Sequence, residues 1–414
     1  MYVKAGWNFF RRQRALSLWA MMVFALLIWL TGCAAGPEKG AAQRQSGEPA
    51  CTVLRGLVIL AEFPDVRHNI NRRYPQKRFF QEMNGYIQEM SYGKVCVGGE
   101  TTERWIRMDR SISHYKISPR NLEVDKSRIR LLIQDAIDAV DKEVDFSRYS
   151  FTAIFMGAKR EEYGMIGLCG YPGMLGWGTK DTLKTQRGQV VKGGIAIYCY
   201  QAHLGTLFHD VAHILGGVKE GKRMVPCLYD HDLQAKPGPL REVFLGSTVN
   251  MGLWDPMSCH FYKWELPPPG LSSWTKLRLN WMDPSKVKVV KAGEKAEILL
   301  GPLEDGNAET LAIKVALSET TYYLIENRQP IGFDKNLPGR GVLIMYADDK
   351  ISECRHGRSP VKLINADSKI PHLEGAAFDI GKKESYSDEK NGVQIHLAGK
   401  IGNSYKIRIG PNQK

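Results

Sequence analysis

The chain has 414 residues, 43% of them hydrophobic, enough for real cores in one large or two ordinary domains. No low-complexity tract or internal repeat is present, which excludes a solenoid or tandem array. Four basic residues (Lys4, Arg11, Arg12, Arg14) precede Cys33. Without them 53 basic residues face 44 acidic ones, spread with no basic stripe interleaved with aromatics, which excludes nucleic acid as a partner.

The first 33 residues read as a leader and not as fold. A positive head without acids is followed by ALSLWAMMVFALLIWL at 15–30 and by LTGC at 30–33. The competing reading is a plain transmembrane anchor, since about 16 to 18 apolar residues nearly span a bilayer. The LTGC ending resembles the bacterial lipobox, which implies lipidation at Cys33 and a mature chain that starts there. Ala34 follows it where an aspartate would signal inner-membrane retention. The expectation is an exported, membrane-anchored lipoprotein of the cell envelope, at the outer membrane or surface. Residues 34–50 hold no bulky apolar side chain and read as a flexible tether. Seven cysteines follow Cys33, so at least one is unpaired, and the pairing stays open.

VLRGLVILAEF at 53–63 reads as a buried strand, PQKRFFQEMNGYIQEM at 75–90 as a helix, and SYGK as the turn after it. A second helix spans about 125–142, with Ile129, Leu131, Leu132, Ala136, Ile137 and Val140 on its apolar side. SFTAIFMG at 150–157 is another strand, and the glycine-rich residues 158–190 read as irregular. GGIAIYCY at 193–200 is a strand just before TLFHDVAHIL at 206–215. Strands alternating with helices predict an α/β or α+β first domain over 51–285. From 286 to 414 short β-rich runs follow one another (AEILL, TLAIKVA, TYYLIEN, GVLIMYA, VKLINA, VQIHLA, SYKIRIG), which predicts an all-β sandwich-like domain.

The chemistry centres on TLFHDVAHIL. His209 and His213 stand four apart on a predicted helix that begins near Gly205-Thr206 and stops at Gly216-Gly217, so both imidazoles share one face and can meet one tetrahedral Zn²⁺. Ten histidines occur in the chain, so the pair alone is a weak signal, and two ordinary helical histidines are the bland alternative. Context strengthens it: a strand precedes, glycine closes the helix, and a Trp254-Asp255-Pro256-Met257 turn lies downstream.

These blocks together resemble the immune inhibitor A family of secreted metallopeptidases. The shared residues are LVILAEFPD at 57–65, SYGK at 91–94, FHDVAHILG at 208–216, PCLYD at 226–230, WDPMS at 254–258, LSSWTKLRLNW at 271–281 and YYLIENRQPIGFDKNLPGRGVLI at 322–344. The resemblance covers roughly 55–365 and implies an α+β zincin/metzincin-like catalytic domain ahead of the β-rich one. It also implies zinc as cofactor, a peptide or protein substrate, and Met257 as packing beneath the site. Nothing in the sequence speaks for calcium.

Departures fall where the chemistry is. The family helix reads H-E-x-x-H-x-x-G-x-x-D, and here Asp210 replaces the glutamate while Lys219 stands six past His213. About eight extra residues around VKEGKRMV intervene, and realignment at PCLYD puts Cys227 where the third ligand belongs. A thiolate is a good zinc ligand. The alternatives are a loop thiol or disulfide partner at Cys227, with Asp230, His231, Asp232 and Glu220 as nearby substitutes. As catalytic base Asp210 lacks one methylene, so its oxygens retreat by about 1.5 Å. Misplacement on that scale costs about a hundredfold.

Two functions follow. One is a lipid-anchored zinc metalloendopeptidase that hydrolyses peptide bonds by metal-activated water, with activity weakened by the shortened base. The other is a catalytically inactive peptidase-fold binding module of the cell envelope. For an active enzyme the expected substrate edge is GGIAIYCY, and His260 or Tyr262 is the expected oxyanion partner.

Overall fold

The computed structural model describes residues 51–117, 124–177, 183–235 and 249–411. The leader, the tether and Cys33 lie outside the described residues. Residues Pro49–Lys414 form one compact unit. The architecture is mixed α/β, with an α+β region followed by a β-rich one. Among the described residues no helix is long and apolar enough to cross a membrane.

The first sheet is built on β1 (Thr52–Glu62), whose apolar run is buried from Gly56 onward. Side chains alternate across a strand. Val58 and Leu60 therefore enter one core with Phe79, Met83 and Ile87 of the first helical run. Leu57, Ile59 and Ala61 enter a second core with Ile129, Leu132 and Ile137 of the helix Lys126–Val140. The sheet is thus covered by helices on both faces. β1 lies between β2 (Val95–Thr101) and β4 (Phe151–Met156) and pairs also with β3 (Ile106–Arg107), all in parallel. The first helical run extends over Arg73–Lys77, a π-helical turn Arg78–Met83, and Asn84–Met90. Cys51 and Cys96, at the starts of β1 and β2, form a disulfide, and Cys169, Cys199, Cys227, Cys259 and Cys354 are free and buried.

One sequence expectation is corrected. The strand β6 (Ile195–Cys199) is interior: β4 pairs with it on one side and β5 (Gly167–Tyr171) on the other. The outermost strand is therefore β5, antiparallel to β6, inside the segment that read as irregular. Its glycines hide the strand pattern. They serve close approach: a Cβ on Gly167 would meet Thr206 Cγ2 at 2.9 Å and Asp210 Oδ2 at 3.2 Å.

The β-rich region has two sheets. One runs β14 (Val361–Leu363), β13 (Gly341–Asp348), β12 (Thr321–Arg328), β11 (Ala312–Ala316), β9 (Val287–Lys291); the other runs β10 (Ala296–Leu300), β17 (Ser404–Pro411), β16 (Val393–Ile401), β15 (Ser385–Asp388). Between them lies a core that includes Ile298, Ile313, Ile325, Ile344, Ile395 and Ile407. The opposite face of the five-stranded sheet, through Leu324, Leu343 and Met345, joins the core that holds Phe208 and Val211. The β-rich region thus forms one wall of the core beneath the histidine helix.

Candidate metal centre

The histidine helix spans Leu204–Gly216, and every residue from Leu204 to Ile214 is buried. His203 caps it by accepting the Gly205 N–H at Nδ1 (3.0 Å). At the other end Gly217 takes a positive φ of 66° and bonds back to His213 and Ile214. Helical spacing brings the His209 and His213 rings to 4.6 Å between centroids.

Each imidazole is oriented from behind. His209 Nδ1 donates to the Pro256 carbonyl (2.9 Å), and His213 Nδ1 donates to the Val225 carbonyl (2.6 Å). A ring whose Nδ1 carries the proton presents a bare Nε2. The two Nε2 atoms lie 3.1 Å apart, and Cys227 Sγ lies 3.5 Å from each. A tetrahedral ion about 2.1 Å from nitrogen and about 2.3 Å from sulfur would space its ligand atoms at about 3.4 Å (N···N) and about 3.6 Å (N···S). The three side chains therefore suit such an ion, and among the described residues they form the one group of three His, Cys, Asp or Glu that can hold a metal.

The Trp254-Asp255-Pro256-Met257 turn explains the His209 orientation. Asp255 is fully buried and accepts from Ser272 Oγ (2.5 Å), Thr275 Oγ1 (2.7 Å) and the Met257 N–H (2.8 Å). That clamp sets the turn and aims the Pro256 carbonyl. The Met257 carbonyl accepts the Leu228 N–H (2.8 Å), which ties the turn to the residue after Cys227. Met257 packs in the core below.

Asp210 follows His209 and is 6% exposed. Its Oδ2 is buried without a hydrogen-bond partner among the described residues. Burial pushes its carboxyl up to about 7, against the pull of His209. Burial brings His213 down to about 3, with Arg223 adding to it. For Cys227 burial acts upward, but the charges of His213, Arg223 and His231 outweigh it, and the thiol lies well below its ordinary value. His209 is raised: burial opposes protonation, and the bond and charge of Cys227 overcome it.

Of the other sequence candidates, His260 is close: its ring is 4.2 Å from that of His209, and its Nδ1 meets Thr206 Oγ1 at 3.1 Å. Tyr262 is half-buried beneath the Lys263 ammonium. Asp230 is spent on the N–H groups of Asp232, Leu233 and Gly357, and Asp232 on the Arg355–His356 loop. Glu220 sits exposed in a tight turn at φ 52°. Sequence reasoning missed Tyr229, whose ring stacks 5.8 Å from His209, and Arg223, whose Nη2 is 3.7 Å from Cys227 Sγ. For Tyr229 the available signal was its place two residues beyond Cys227 in PCLYD.

No family model matches the chain, and no curated protein matches it. Eight solved chains do, among them metalloproteinase-II from Bacteroides fragilis, 12% identical over 57% of this chain and 54% of that one, with a TM-score of 0.31. The match spans about half the length of that protein. At that score the likeness decides neither fold nor activity.

Proposed function

We propose that the protein is a zinc-dependent peptide hydrolase of immune inhibitor A type, with His209, His213 and Cys227 as ligands and Asp210 as general base. One observation carries the reading. Three donors converge on one point, and next to His209 in the chain stands Asp210, a buried carboxylate whose Oδ2 has no hydrogen-bond partner among the described residues. A closed structural site takes four protein ligands, whereas three leave a position for chemistry. Two imidazoles and a thiolate favour zinc over the hard oxygen-seeking cations. Zinc held by these three residues would supply Lewis acidity, making water acidic near neutral pH and polarising a peptide carbonyl.

The protein side of the reaction follows from the residues. Pro256 and Val225 hold the imidazoles in one tautomer. Asp210 holds or accepts a proton at Oδ2, and its raised carboxyl suits transfer near neutrality. β5 ends the sheet, with its Cys169 and Gly170 carbonyls taken by the Met174 and Leu175 N–H groups, so an extended peptide would pair with the part of the strand ahead of Cys169. His260 borders His209 and is kept neutral by burial, so it can donate to a developing oxyanion but carries no charge.

The missing methylene of Asp210 makes the native enzyme slow in this reading. On one peptide library at equal zinc loading, Asp210→Glu raises hydrolysis by about ten to a thousandfold, within the range general-base catalysis supplies, and Asp210→Ala abolishes it. No gain in Asp210→Glu, with zinc bound, turns the reading to a non-catalytic binding module. The location is proposed on sequence alone: export, lipid at Cys33, and attachment to the cell envelope. Mass spectrometry of the mature N-terminus tests it, and an unmodified Cys33 rejects it.

A further inference from the structure

The residues that interrupt the family resemblance fold into a small hairpin against the metal centre. Val218–Lys219 pairs with Lys222–Arg223, turning through Glu220 and Gly221, both at positive φ. The hairpin hands two groups to the site. Val225 supplies the carbonyl that orients His213. Arg223, the last residue of its second strand, turns inward with its side chain only 5% exposed.

A buried guanidinium needs partners for its charge and its donors. Glu353 supplies a carboxylate, 3.0 Å from Nη2 and 3.3 Å from Nε. The Trp177 ring lies 5.0 Å away. The remaining contact is Nη2 to Cys227 Sγ at 3.7 Å. Glu353 lies in the β-rich region, and the same loop grips the chain just beyond Cys227: Gly357 N–H donates to Asp230 (2.6 Å) and His356 N–H to Asp232 (3.0 Å).

We propose that Arg223, held by Glu353, is the positioning residue of the Cys227 ligand. Its Nη2 donates to the sulfur and directs the remaining lone pairs toward the Nε2 atoms of His209 and His213. Glu353 cancels the charge that would otherwise repel a cation. The insertion and the thiolate then form one device: the ligand changed to cysteine, and the hairpin brought the donor that holds it. The inference rests on Cys227 being a metal ligand, so its test reads metal binding and not hydrolysis.

The experiment titrates cobalt(II) into the mature chain and follows the sulfur-to-cobalt charge-transfer band, with circular dichroism to confirm folding. Arg223→Met should weaken cobalt binding roughly 10–100-fold, the usual cost of losing a partner behind a ligand. It should also move the band to longer wavelength, because a thiolate stripped of an N–H donor gives up electrons more easily. Glu353→Gln should weaken binding while the band stays in place, since the N–H···S contact survives and only the compensating charge is lost. A folded Arg223→Met with unchanged affinity and band overturns the proposal. Weakened binding with an unshifted band also overturns it, because that assigns Arg223 a purely structural part. Should Arg223→Met not fold, Glu353→Gln decides: full-strength binding rejects the pairing. Cys227→Ala separates the two levels. If the band survives in Cys227→Ala, the ligand assignment itself fails. If the band vanishes there but Arg223→Met behaves as wild type, only the present inference falls.

Discussion

Two clusters of buried polar side chains invite comparison. Around Arg328, which is fully buried, every donor finds an acceptor: Nε and Nη2 meet Asp334 at 2.8 Å, Nη1 meets Glu326 (3.2 Å) and the Trp254 carbonyl (2.9 Å), and Nη2 meets the Gly270 carbonyl (3.0 Å). Around His209 the backs of the rings are satisfied, but three donor atoms face one another and Asp210 Oδ2 has no partner among the described residues. Both clusters pay for desolvation. The first recovers the cost internally and pins the β-rich sheet to the metal-site turn, whereas the second leaves lone pairs aimed at one point, which is what an ion requires.

The comparison predicts opposite responses to mutation. The largest effect is expected at the candidate metal centre: purified protein should hold about one zinc, and His209→Ala or His213→Ala should lose it, since three candidate ligands fall to two. Zinc at a thousandfold over its Kd should stabilise wild type by about 4 kcal/mol and leave the variants unmoved. Elemental analysis and thermal melts with and without zinc read both. Equal zinc in wild type and variants would break the distinction between the clusters.

Next comes Arg328→Met, which strands Glu326 and Asp334 without their cation and should cost about 3–5 kcal/mol in urea unfolding, with zinc content unchanged. A loss of zinc without a loss of stability would assign Arg328 to the wrong cluster.

Lys276 sharpens the comparison by pH. Its ammonium is buried against the Met90 carbonyl (2.8 Å), and burial lowers it from 10.5 to about 8, with Asp334, Glu304 and Glu326 pulling upward and Arg328 downward. A depressed folded value means that the unfolded chain binds more protons between 8 and 10.5, so stability rises with pH through that window and the gain is lost as pH falls through 8. Against Lys276→Met, which cannot titrate, wild type should gain about 2 kcal/mol from pH 7.5 to 9.5. Urea midpoints of the pair at the two pH values give the difference, and a flat one removes the buried amine from the account.

The smallest effect belongs to the surface of the same region. Arg408 and Glu297 pair at 2.9 Å with both side chains about half exposed, so Arg408→Gln should cost less than about 1 kcal/mol, an amount salt erases. A larger loss in the same unfolding assay would mean that burial is not what separates strong from weak pairs here.

Legibility varied along the chain for physical reasons. The helix Leu204–Gly216 was readable because local spacing alone puts His209 and His213 on one face. β1, β4 and β6 were readable because long apolar runs bounded by turns have few other solutions. β5 was not, since Gly167 and Gly170 remove the side chains that mark a strand, and they do so because the histidine helix and Ile133 press against them. Arg223 was invisible because an insertion carries no template, and an arginine beside Lys222 reads as solvated surface until a fold buries it.

The residues by themselves determined the helix that carries the histidines, the strands β1, β4 and β6, and the short list on which Cys227 stood with Asp230, His231, Asp232 and Glu220. Those follow from periodicity and ligand chemistry, which act over a few residues. Only the tertiary structure chose within that list. It spends Asp230 and Asp232 on the loop Arg355–Gly357, leaves Glu220 in solvent, and turns Cys227 toward both Nε2 atoms. That choice depends on hydrogen bonds between residues far apart in sequence, such as Arg223 with Glu353 and His209 with Pro256, and no local pattern encodes which distant partner a polar atom will meet.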